Sequence, residues 1–341
     1  MPEESRPEAT PAGHRPRIEL LMVGGTFDSI GHSRLDLSTY FATGVRLSPD
    51  ELLASLPELG DVAIVDPIEF RRVSSSALTI GDWLELRRIV AGRLDREDCD
   101  GVVLAHGTNT IEETGYFLDL SLASNKPVIM VGAVRPHSAL SSDGALNLMR
   151  AVQVAASPAA RNHGVLVVMN ERIFAAADAT KTATQWVEAV GAPDAGPLGY
   201  IDAGGAVIID RRRTSRGPRF DLAGLEELPR VDIVVSYVGA DGALIEAAVA
   251  AGARGIVSAG TGAGRPTPGE EEALTHAVEG GVVVCQSSRV GSGSVVRSPL
   301  LESRRVVAGR HLRPWKARVL LSLALTRTSD VADIQGFFDG A

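Results

Sequence analysis

One short stretch, Gly101–Gly115, constrains the fold of this chain more than any other. It opens with an apolar, branched run, Val102–Ala105, of the length that a buried strand requires. The run breaks at His106-Gly107, and an apolar segment with helical spacing follows Thr110. Thr110 and Glu113 have the spacing of a capping box, which predicts that a helix begins here. Strand, loop and helix in this order are typical of parallel α/β proteins, which bind ligands at such strand ends.

Similar units recur along the chain, which has 341 residues. Apolar runs alternate with helically spaced segments, and this order predicts a parallel sheet covered on both faces. The predicted strands of the first part are Ile18–Val23, Val62–Val65, Val102–Ala105, Pro127–Val131 and Val165–Met169, and the predicted helices are Thr79–Leu94 and Asp143–Ala155. The pattern then restarts with strands Ile233–Tyr237, Ile256–Ser258 and Val282–Cys285 and with helices Leu244–Ala251, Glu270–Glu279 and, last, Trp315–Leu325.

The chain is longer than one hydrophobic core usually fills, so we expect two domains. A zone rich in Gly, Pro and Arg, from Gly196 to Pro229, has the composition of an inter-domain connection. We therefore expect a disordered tail at 1–17, an N-terminal catalytic domain at 18–212, a linker at 213–229 and a C-terminal domain at 230–341. The tail prediction rests on its Pro, Glu and Arg content, which offers no apolar core.

Composition narrows the classes of function. The net charge of −8 argues against a nucleic-acid surface, which needs clustered basic residues. No apolar stretch approaches the roughly 20 residues that span a bilayer, so we expect no membrane association. The two cysteines, Cys99 and Cys285, form neither a disulfide framework nor a metal-binding spacing, and the histidines show none either. We expect a cytoplasmic protein without metal or cofactor.

Three polar loops carry the candidate chemistry. Gly24-Gly25-Thr26 follows a predicted strand, and its glycines allow a ligand to approach the backbone while the threonine offers a hydroxyl group. Asp178–Thr182 contains a lysine that could activate a hydroxyl group if burial lowers its pKa. The loop Gly132–Gly144 ends in a predicted helix cap, Ser142 or Asp143. Each pattern alone also fits an ordinary turn, a surface lysine or a supporting loop.

Taken in order, these loops resemble those of the bacterial-type L-asparaginases and glutaminase-asparaginases. The resemblance is collinear from about residue 18 to residue 338. It rests on Gly24-Gly25-Thr26, His106–Thr110, Lys126–Val128, Val134–Pro136, Ser142–Asn147 and Asp178–Thr182, and further along on Gly196–Gly199, Ile256–Gly260, Ser287–Val290 and Lys316–Leu320. It implies a two-domain α/β fold, with a larger N-terminal domain built on a mainly parallel sheet and a smaller, flavodoxin-like C-terminal domain.

The resemblance also implies a mechanism. Thr26 would attack a side-chain amide, form an acyl-enzyme and release ammonia before water frees the acid. Thr108 and Lys181 would form a second hydroxyl–amine pair, and backbone N–H groups near Thr108 would stabilise the oxyanion. Tyr40 is the tyrosine expected to assist, although Thr39 lies one residue from that position. The implied assembly is a homotetramer in which the C-terminal domain of a neighbouring subunit closes each site.

The substrate pocket implied in this way is formed by Gly25, Ser75, Ser76, Asn109 and Arg265. Asn109 stands where the family has an acidic residue that binds the substrate's α-ammonium group, and Ser75-Ser76 stands where it has Ser-Gln. A glutamate from the neighbour falls at or near Leu300, and an asparagine falls at Arg265. Because an unpaired ammonium in a closed site costs a few kcal/mol, we expect an amidohydrolase for a small amide without that group, or one with an extra carboxylate for Arg265. A cyclic amide would also fit.

Three other functions stay open. The first is a genuine L-asparaginase or glutaminase that tolerates Asn109, with Glu302 restoring the missing acid. The second is a catalytically weak metabolite-binding protein on the same fold, since fold never guarantees activity. A pure binder, however, does not need Thr26, Thr108 and Lys181 together. The third is the ammonia-producing subunit of a tRNA-dependent amidotransferase, which would bring an additional N-terminal domain.

Overall fold

The computed structural model describes residues 15–212 and 217–341. Most of the predicted tail, residues 1–14, and part of the predicted linker, residues 213–216, lie outside the described residues. Arg17, the last residue of the predicted tail, begins the first strand. The described part of the linker, residues 217–229, contains no helix or strand.

The N-terminal domain is built on an eight-stranded sheet with the order β10-β9-β6-β5-β4-β3-β1-β2. Along the sheet, β2, β1, β3, β4 and β5 pair in parallel, and β5, β6, β9 and β10 pair antiparallel. The bounds are β1 Arg17–Met22, β2 Ile64–Glu69, β3 Gly101–Ala105, β4 Val128–Val131, β5 Val165–Met169, β6 Arg172–Ala175, β9 Gly199–Ile201 and β10 Val207–Ile209. A separate antiparallel pair consists of β7 Thr180–Lys181 and β8 Val190–Gly191.

Helices cover both faces of this sheet because successive side chains of a buried strand point to opposite sides. In β3, Val102 packs on the side of α3 (Ile80–Leu94) and α4 (Ile111–Ser121), whereas Val103 packs on the side of α5 (Gly144–Ala156). The remaining helices of this domain are α1 Pro49–Ala54 and α2 Leu59–Val62, with short 3₁₀ turns at Tyr40–Thr43, Ser75–Ala77 and Pro158–Ala160.

The C-terminal domain repeats this arrangement on a smaller scale. Its four strands are all parallel and run in sequential order, and their bounds are β11 Val231–Val235, β12 Gly255–Gly260, β13 Val283–Ser288 and β14 Val306–Ala308. Its helices are α6 Ala243–Ala250, α7 Pro268–Glu279, α8 Pro299–Ser303, α9 Pro314–Ala324 and α10 Val331–Asp339. Ile256 packs with residues of α6 and α7, and Val257 packs with residues of α9. The predicted two-domain α/β fold is confirmed.

Two secondary-structure predictions are wrong. Val62 ends α2, and the strand predicted at Val62–Val65 begins only at Ile64. This strand, β2, lies at the edge of the sheet and contains Asp66 and Pro67, so no continuous apolar run marks it. The helix at Trp315 is not the last one, because α10 follows it; the carboxylate of Asp330 caps α10 by accepting hydrogen bonds from two backbone N–H groups.

The two predicted helix caps also turn out differently. The hydroxyl group of Thr110 makes no capping bond but donates to the Ser75 carbonyl oxygen at 2.9 Å, so it ties two loops together. Asp143 likewise makes no side-chain cap, and its carboxylate accepts from the backbone N–H groups of Val134 and Arg135. Ser142, the alternative cap, accepts a hydrogen bond from the Gly144 backbone N–H at 3.4 Å. The residue types typical of caps therefore located both helix starts, while the side chains of Thr110 and Asp143 bind the loops beside them.

The order of the strands creates one place where the chain diverges. From β1 it passes to β2 on one side and then returns to β3 on the other side. The loops after β1 and β3 therefore part at the carboxyl edge of the sheet, where open α/β folds form a ligand-binding crevice. Gly24-Gly25-Thr26 and His106–Thr110 are these two loops.

The two domains are joined by packing and by buried polar contacts. Helix α9 of the C-terminal domain lies against α4 of the N-terminal domain. Lys316 on α9 is buried, and its Nζ donates to the carbonyl oxygens of Ala177 (2.7 Å) and Ala179. Arg313 pairs with Asp194 across the same boundary. These contacts hold α9 of the C-terminal domain against the residues that immediately precede β7.

The capping box at the start of α3 offers a test of local stability. Thr79 accepts a hydrogen bond from the Asp82 backbone N–H, and Asp82 accepts one from that of Thr79. We expect Thr79→Ala to lower the free energy of unfolding by about 1 kcal/mol in urea titrations, because an N-cap is lost. Thr275→Ala, in the exposed middle of α7, should not lower it and should raise it by up to about 0.7 kcal/mol, because Ala is the better helix former. Equal losses would show that the cap does not contribute.

Candidate active site

The loops after β1 and β3 touch through their glycines. A Cβ atom on Gly25 would lie 2.5 Å from the Cα of Gly107, and one on Gly107 would lie 2.8 Å from the Oγ of Ser75. Gly25 also has a φ of +111°, which disfavours any other residue. Only glycine permits this approach, and it brings the loops that carry Thr26, Ser75 and Thr108 to one point.

Thr26 is positioned by a tyrosine from the segment that follows its own loop. The hydroxyl oxygens of Thr26 and Tyr40 lie 2.9 Å apart, so they share a hydrogen bond. Thr39 points elsewhere, since its hydroxyl group donates to Asp36 at 2.8 Å. Of the two residues that the sequence left open, Tyr40 is therefore the one that meets Thr26.

The second hydroxyl group, that of Thr108, meets Lys181. The Lys181 Nζ donates to the Thr108 Oγ1 at 2.8 Å and to the Asn109 Oδ1 at 2.9 Å. Burial lowers the pKa of Lys181, and the nearby carboxylate of Glu112 acts in the opposite direction. A Cβ atom on Gly132 would lie 2.7 Å from the Thr108 methyl group, so the loop after β4 supports the threonine from the other side.

A cavity of about 350 Å³ unites these groups. Seven of the nine site residues expected from the sequence line it: Gly25, Thr26, Tyr40, Ser75, Thr108, Asn109 and Lys181. The other two, Ser76 and Arg265, are exposed and do not line the cavity of the same chain, whereas Ser74 does. Arg265 belongs to the C-terminal domain, as do Leu300, which is exposed, and Glu302, which pairs with Arg297 at 2.7 Å.

The charges around the cavity are arranged asymmetrically. Among the described residues, its lining contains three cationic side chains, those of Arg46, Arg135 and Lys181, and no carboxylate. The compensating acids lie behind the lining: Asp28 is fully buried and contacts Arg46 at 2.8 Å, and Glu112 is 6% exposed. A substrate in this cavity therefore faces donors and positive charge.

Asp28 supports the Thr26 loop from below, and no sequence pattern singled it out. Asp28 bridges Arg46 and Arg72, and Arg46 also donates to the Gly25 carbonyl oxygen at 3.1 Å. Burial raises the pKa of Asp28, while the two guanidinium groups oppose this effect. The segment at Phe27-Asp28 is thus part of the core beneath the loop. The partners of Asp28, Arg46 and Arg72, are too distant in the chain for a local sequence pattern to predict the contacts.

Glu112 is a second residue beside the site that no sequence pattern predicted; it accepts a hydrogen bond from the Lys181 backbone N–H. An acidic residue in the first turn of a helix is ordinary, because the helix dipole stabilises its negative charge, so the sequence does not single it out.

In the described residues, no group of three or more His, Cys, Asp or Glu side chains has the geometry to hold a metal ion. Likewise, no helix within the described ranges is long and apolar enough to cross a membrane.

The fold and the cavity together define the class: a two-domain α/β protein whose site joins two threonines, a tyrosine and a lysine. The chain belongs to the asparaginase family. Residues 17–214 match the family model "Asparaginase, N-terminal", and residues 230–338 match "Glutaminase/Asparaginase C-terminal domain". By class it is an asparaginase-like amidohydrolase.

Individual relatives agree over almost the whole length. The chain is 40% identical over 332 residues to L-asparaginase 2 of Escherichia coli, covering 95% of this chain and 93% of the relative. It is 36% identical to the glutaminase-asparaginase of Pseudomonas aeruginosa over 337 residues, or 97% and 92% of the two chains. A crystal structure of a probable cytoplasmic L-asparaginase from Campylobacter jejuni superposes with a TM-score of 0.91 at 37% identity, covering 96% of this chain and 100% of that one.

His106, at the end of β3, makes the free energy of unfolding depend on pH. It is buried, its Nδ1 lies 2.7 Å from the Gly107 carbonyl oxygen, and burial lowers its pKa to about 4. The unfolded chain therefore binds a proton at higher pH than the folded chain does. The resulting stability is complete above about pH 6.5 and is lost as the pH falls towards 4.

We expect the wild-type protein to lose about 3 kcal/mol more of its unfolding free energy between pH 6.5 and 4 than His106→Asn does. Urea titrations across this range measure the difference. His276→Asn, at an exposed position on α7, is the matched control and should follow the wild type. If His106→Asn and wild type have the same pH slope, the histidine is not held neutral by burial.

Proposed function

We propose that this amidohydrolase uses Thr26 as its nucleophile on a small side-chain amide related to asparagine. The observation that carries the proposal is the pair of contacts in one cavity, Tyr40 to Thr26 and Lys181 to Thr108. Thr26 Oγ1 forms the new bond to the amide carbon, and its proton leaves through Tyr40. The amide nitrogen takes up a proton and departs as ammonia.

Water then completes the reaction. The Thr108 hydroxyl group, held by the Lys181 Nζ, accepts a hydrogen bond from a water molecule and places it against the acyl ester. Attack by this water breaks the ester bond, frees the acid and returns the proton to Thr26. Backbone N–H groups near Thr108 stabilise the negative oxygen in both steps.

Asn109 determines which substrate head group the cavity accepts. The Lys181 ammonium can only donate, so the Asn109 Oδ1 must face it, and the 2.9 Å contact uses that acceptor. The amide Nδ2, a donor, is then left for the substrate. An α-ammonium group would meet a donor and three cations, which is unfavourable, whereas a carbonyl or carboxylate group would be satisfied. Amides without an α-ammonium, such as succinamic acid or N-acetyl-asparagine, fit this pocket.

The alternative is ordinary L-asparaginase or glutaminase activity. It is favoured by the names of the relatives, which include an L-asparaginase 2 at 40% identity and a glutaminase-asparaginase at 36%. On either substrate, we propose a homotetramer in which Arg265 of a neighbouring subunit approaches each cavity, since Arg265 is exposed and lies outside the cavity of its own chain. The cytoplasmic location also stays a prediction, supported by the name of the Campylobacter protein.

Removal of the reacting hydroxyl groups tests the mechanism. Thr26→Ala should lower ammonia release from succinamic acid by about a thousandfold or more, because no acyl-enzyme forms. Tyr40→Phe should lower kcat by about a hundredfold, the usual size of a lost proton transfer. Thr39→Ala, next to the tyrosine, serves as the control and should stay within about threefold of the wild type. A Thr26→Ala variant that retains activity would disprove the nucleophile assignment.

Restoring the acid tests the substrate preference. We expect wild-type protein to have a higher kcat/KM for succinamic acid than for L-asparagine, measured as ammonia release. Asn109→Asp should shift the ratio towards L-asparagine by about tenfold to a hundredfold, because the ammonium group gains a carboxylate partner.

Asn125→Asp adds the same charge at an exposed position and is the control. Faster turnover of L-asparagine by the wild type, with a ratio that Asn109→Asp leaves unchanged, would replace the proposed preference by ordinary asparaginase activity. No turnover of either amide by the wild type would favour a binding protein.

A further inference from the structure

Glu112 is held by donors from three directions. Its Oε2 accepts from the Thr180 hydroxyl group and from the Trp315 Nε1 at 2.8 Å, and its Oε1 accepts from the Lys181 backbone N–H at 3.2 Å. The side chain is almost completely buried. These three donors replace the water that a buried carboxylate group loses.

These contacts fix the direction of Lys181. Strand β7 consists of only two residues, so its own ladder with β8 gives little restraint. Glu112 binds both residues of this strand, one through its hydroxyl group and one through its backbone N–H. The strand is thereby anchored on α4, and the Lys181 Nζ reaches the Thr108 Oγ1 on the loop that starts the same helix.

Glu112 is also the carboxylate whose charge acts on Lys181. The residue in front of the lysine, Asn109, is neutral. Glu113, on the same helix turn, faces Arg318 at 3.8 Å. Two other charged groups act elsewhere: Lys316 donates to the backbone carbonyl oxygens before β7, and the charge of Asp178 opposes the lowering of the His311 pKa by burial.

Trp315 connects this arrangement to the other domain. It lies on α9, which packs against α4, and its indole N–H reaches Glu112 from the C-terminal side of the boundary. An indole N–H only donates, so it stabilises the carboxylate specifically in its charged form. The C-terminal domain thus supports the site of its own chain from behind the cavity.

We propose that Glu112 is a positioning residue for the Thr108–Lys181 pair, and that Trp315 makes this positioning depend on the seating of the C-terminal domain. The proposal rests on the proposed function for the role of Lys181 in turnover. The arrangement of charges around the lysine can be tested without turnover.

The first test measures the ionisation of Lys181 directly. Trace acetylation with acetic anhydride at a series of pH values, followed by mass spectrometry, gives the pH midpoint of Lys181 reactivity, with Lys126 as an internal reference. Glu112→Gln keeps the size and an acceptor oxygen but removes the charge, so the Lys181 midpoint should move to lower pH by about one unit. Glu113→Gln removes the same charge one residue away and should leave the midpoint in place.

The second test uses activity. Glu112→Gln should lower kcat by about tenfold with little change in KM, and it should move the lysine-controlled limb of the pH–rate profile to lower pH. Trp315→Phe keeps the ring packing and the carboxylate charge. It should lower kcat by about fivefold without moving the acetylation midpoint.

The two hypotheses fail in different ways. An acetylation midpoint that is unchanged in Glu112→Gln, or that moves equally in Glu113→Gln, overturns the inference about Glu112. A Trp315→Phe variant with wild-type kcat overturns the domain link. A shifted midpoint in a protein that hydrolyses no amide leaves the positioning inference standing and overturns the proposed function instead.

Discussion

The site depends on the contact between two glycines, Gly25 and Gly107, at the ends of neighbouring parallel strands. A Cβ atom on Gly25 would overlap the backbone of Gly107, and one on Gly107 would overlap the side chain of Ser75, so the loops after β1 and β3 can meet only because both residues lack a Cβ atom. The sheet topology brings the strand ends together, and the absence of side chains at the two glycines allows the loops to come into contact. Thr26 and Thr108, each one residue beyond its glycine, then open into one cavity.

The electrostatic design follows from what lies behind this contact. Two of the three cations that line the cavity have an acid on the side away from it: Arg46 contacts Asp28, and Glu112 lies behind Lys181. The acids hold the loops in place and offset the charge, yet a substrate meets the cations first. This arrangement explains how a chain with a net charge of −8 presents a positive cavity, because the field inside a cleft is set by its lining and not by the total charge.

The sequence predicted the parts of this structure that depend on local patterns. The buried strands appear as apolar runs, and the loops at their ends were identified through motifs such as His106–Thr110. The edge strand β2 was misplaced because an edge requires no apolar run, and the antiparallel strands β6, β9 and β10 have only three or four residues each, too few for a periodic signal. Asp28 and Glu112 were missed for a different reason. Their partners lie up to 203 residues away, and no spacing in the chain encodes such a contact.

Under the proposed function, Asn109 and Glu112 have different tasks on the two sides of Lys181. A carboxylate at position 109 would both compensate Lys181 and attract a cationic substrate group. In the proposed function the first task belongs to Glu112, which contacts β7 and Trp315, and no carboxylate performs the second task. Asn109 keeps the hydrogen bond to the lysine without contributing charge. The substrate-facing side can therefore change its specificity while the hydroxyl–amine pair behind it stays intact, because the group that secures the pair does not line the cavity.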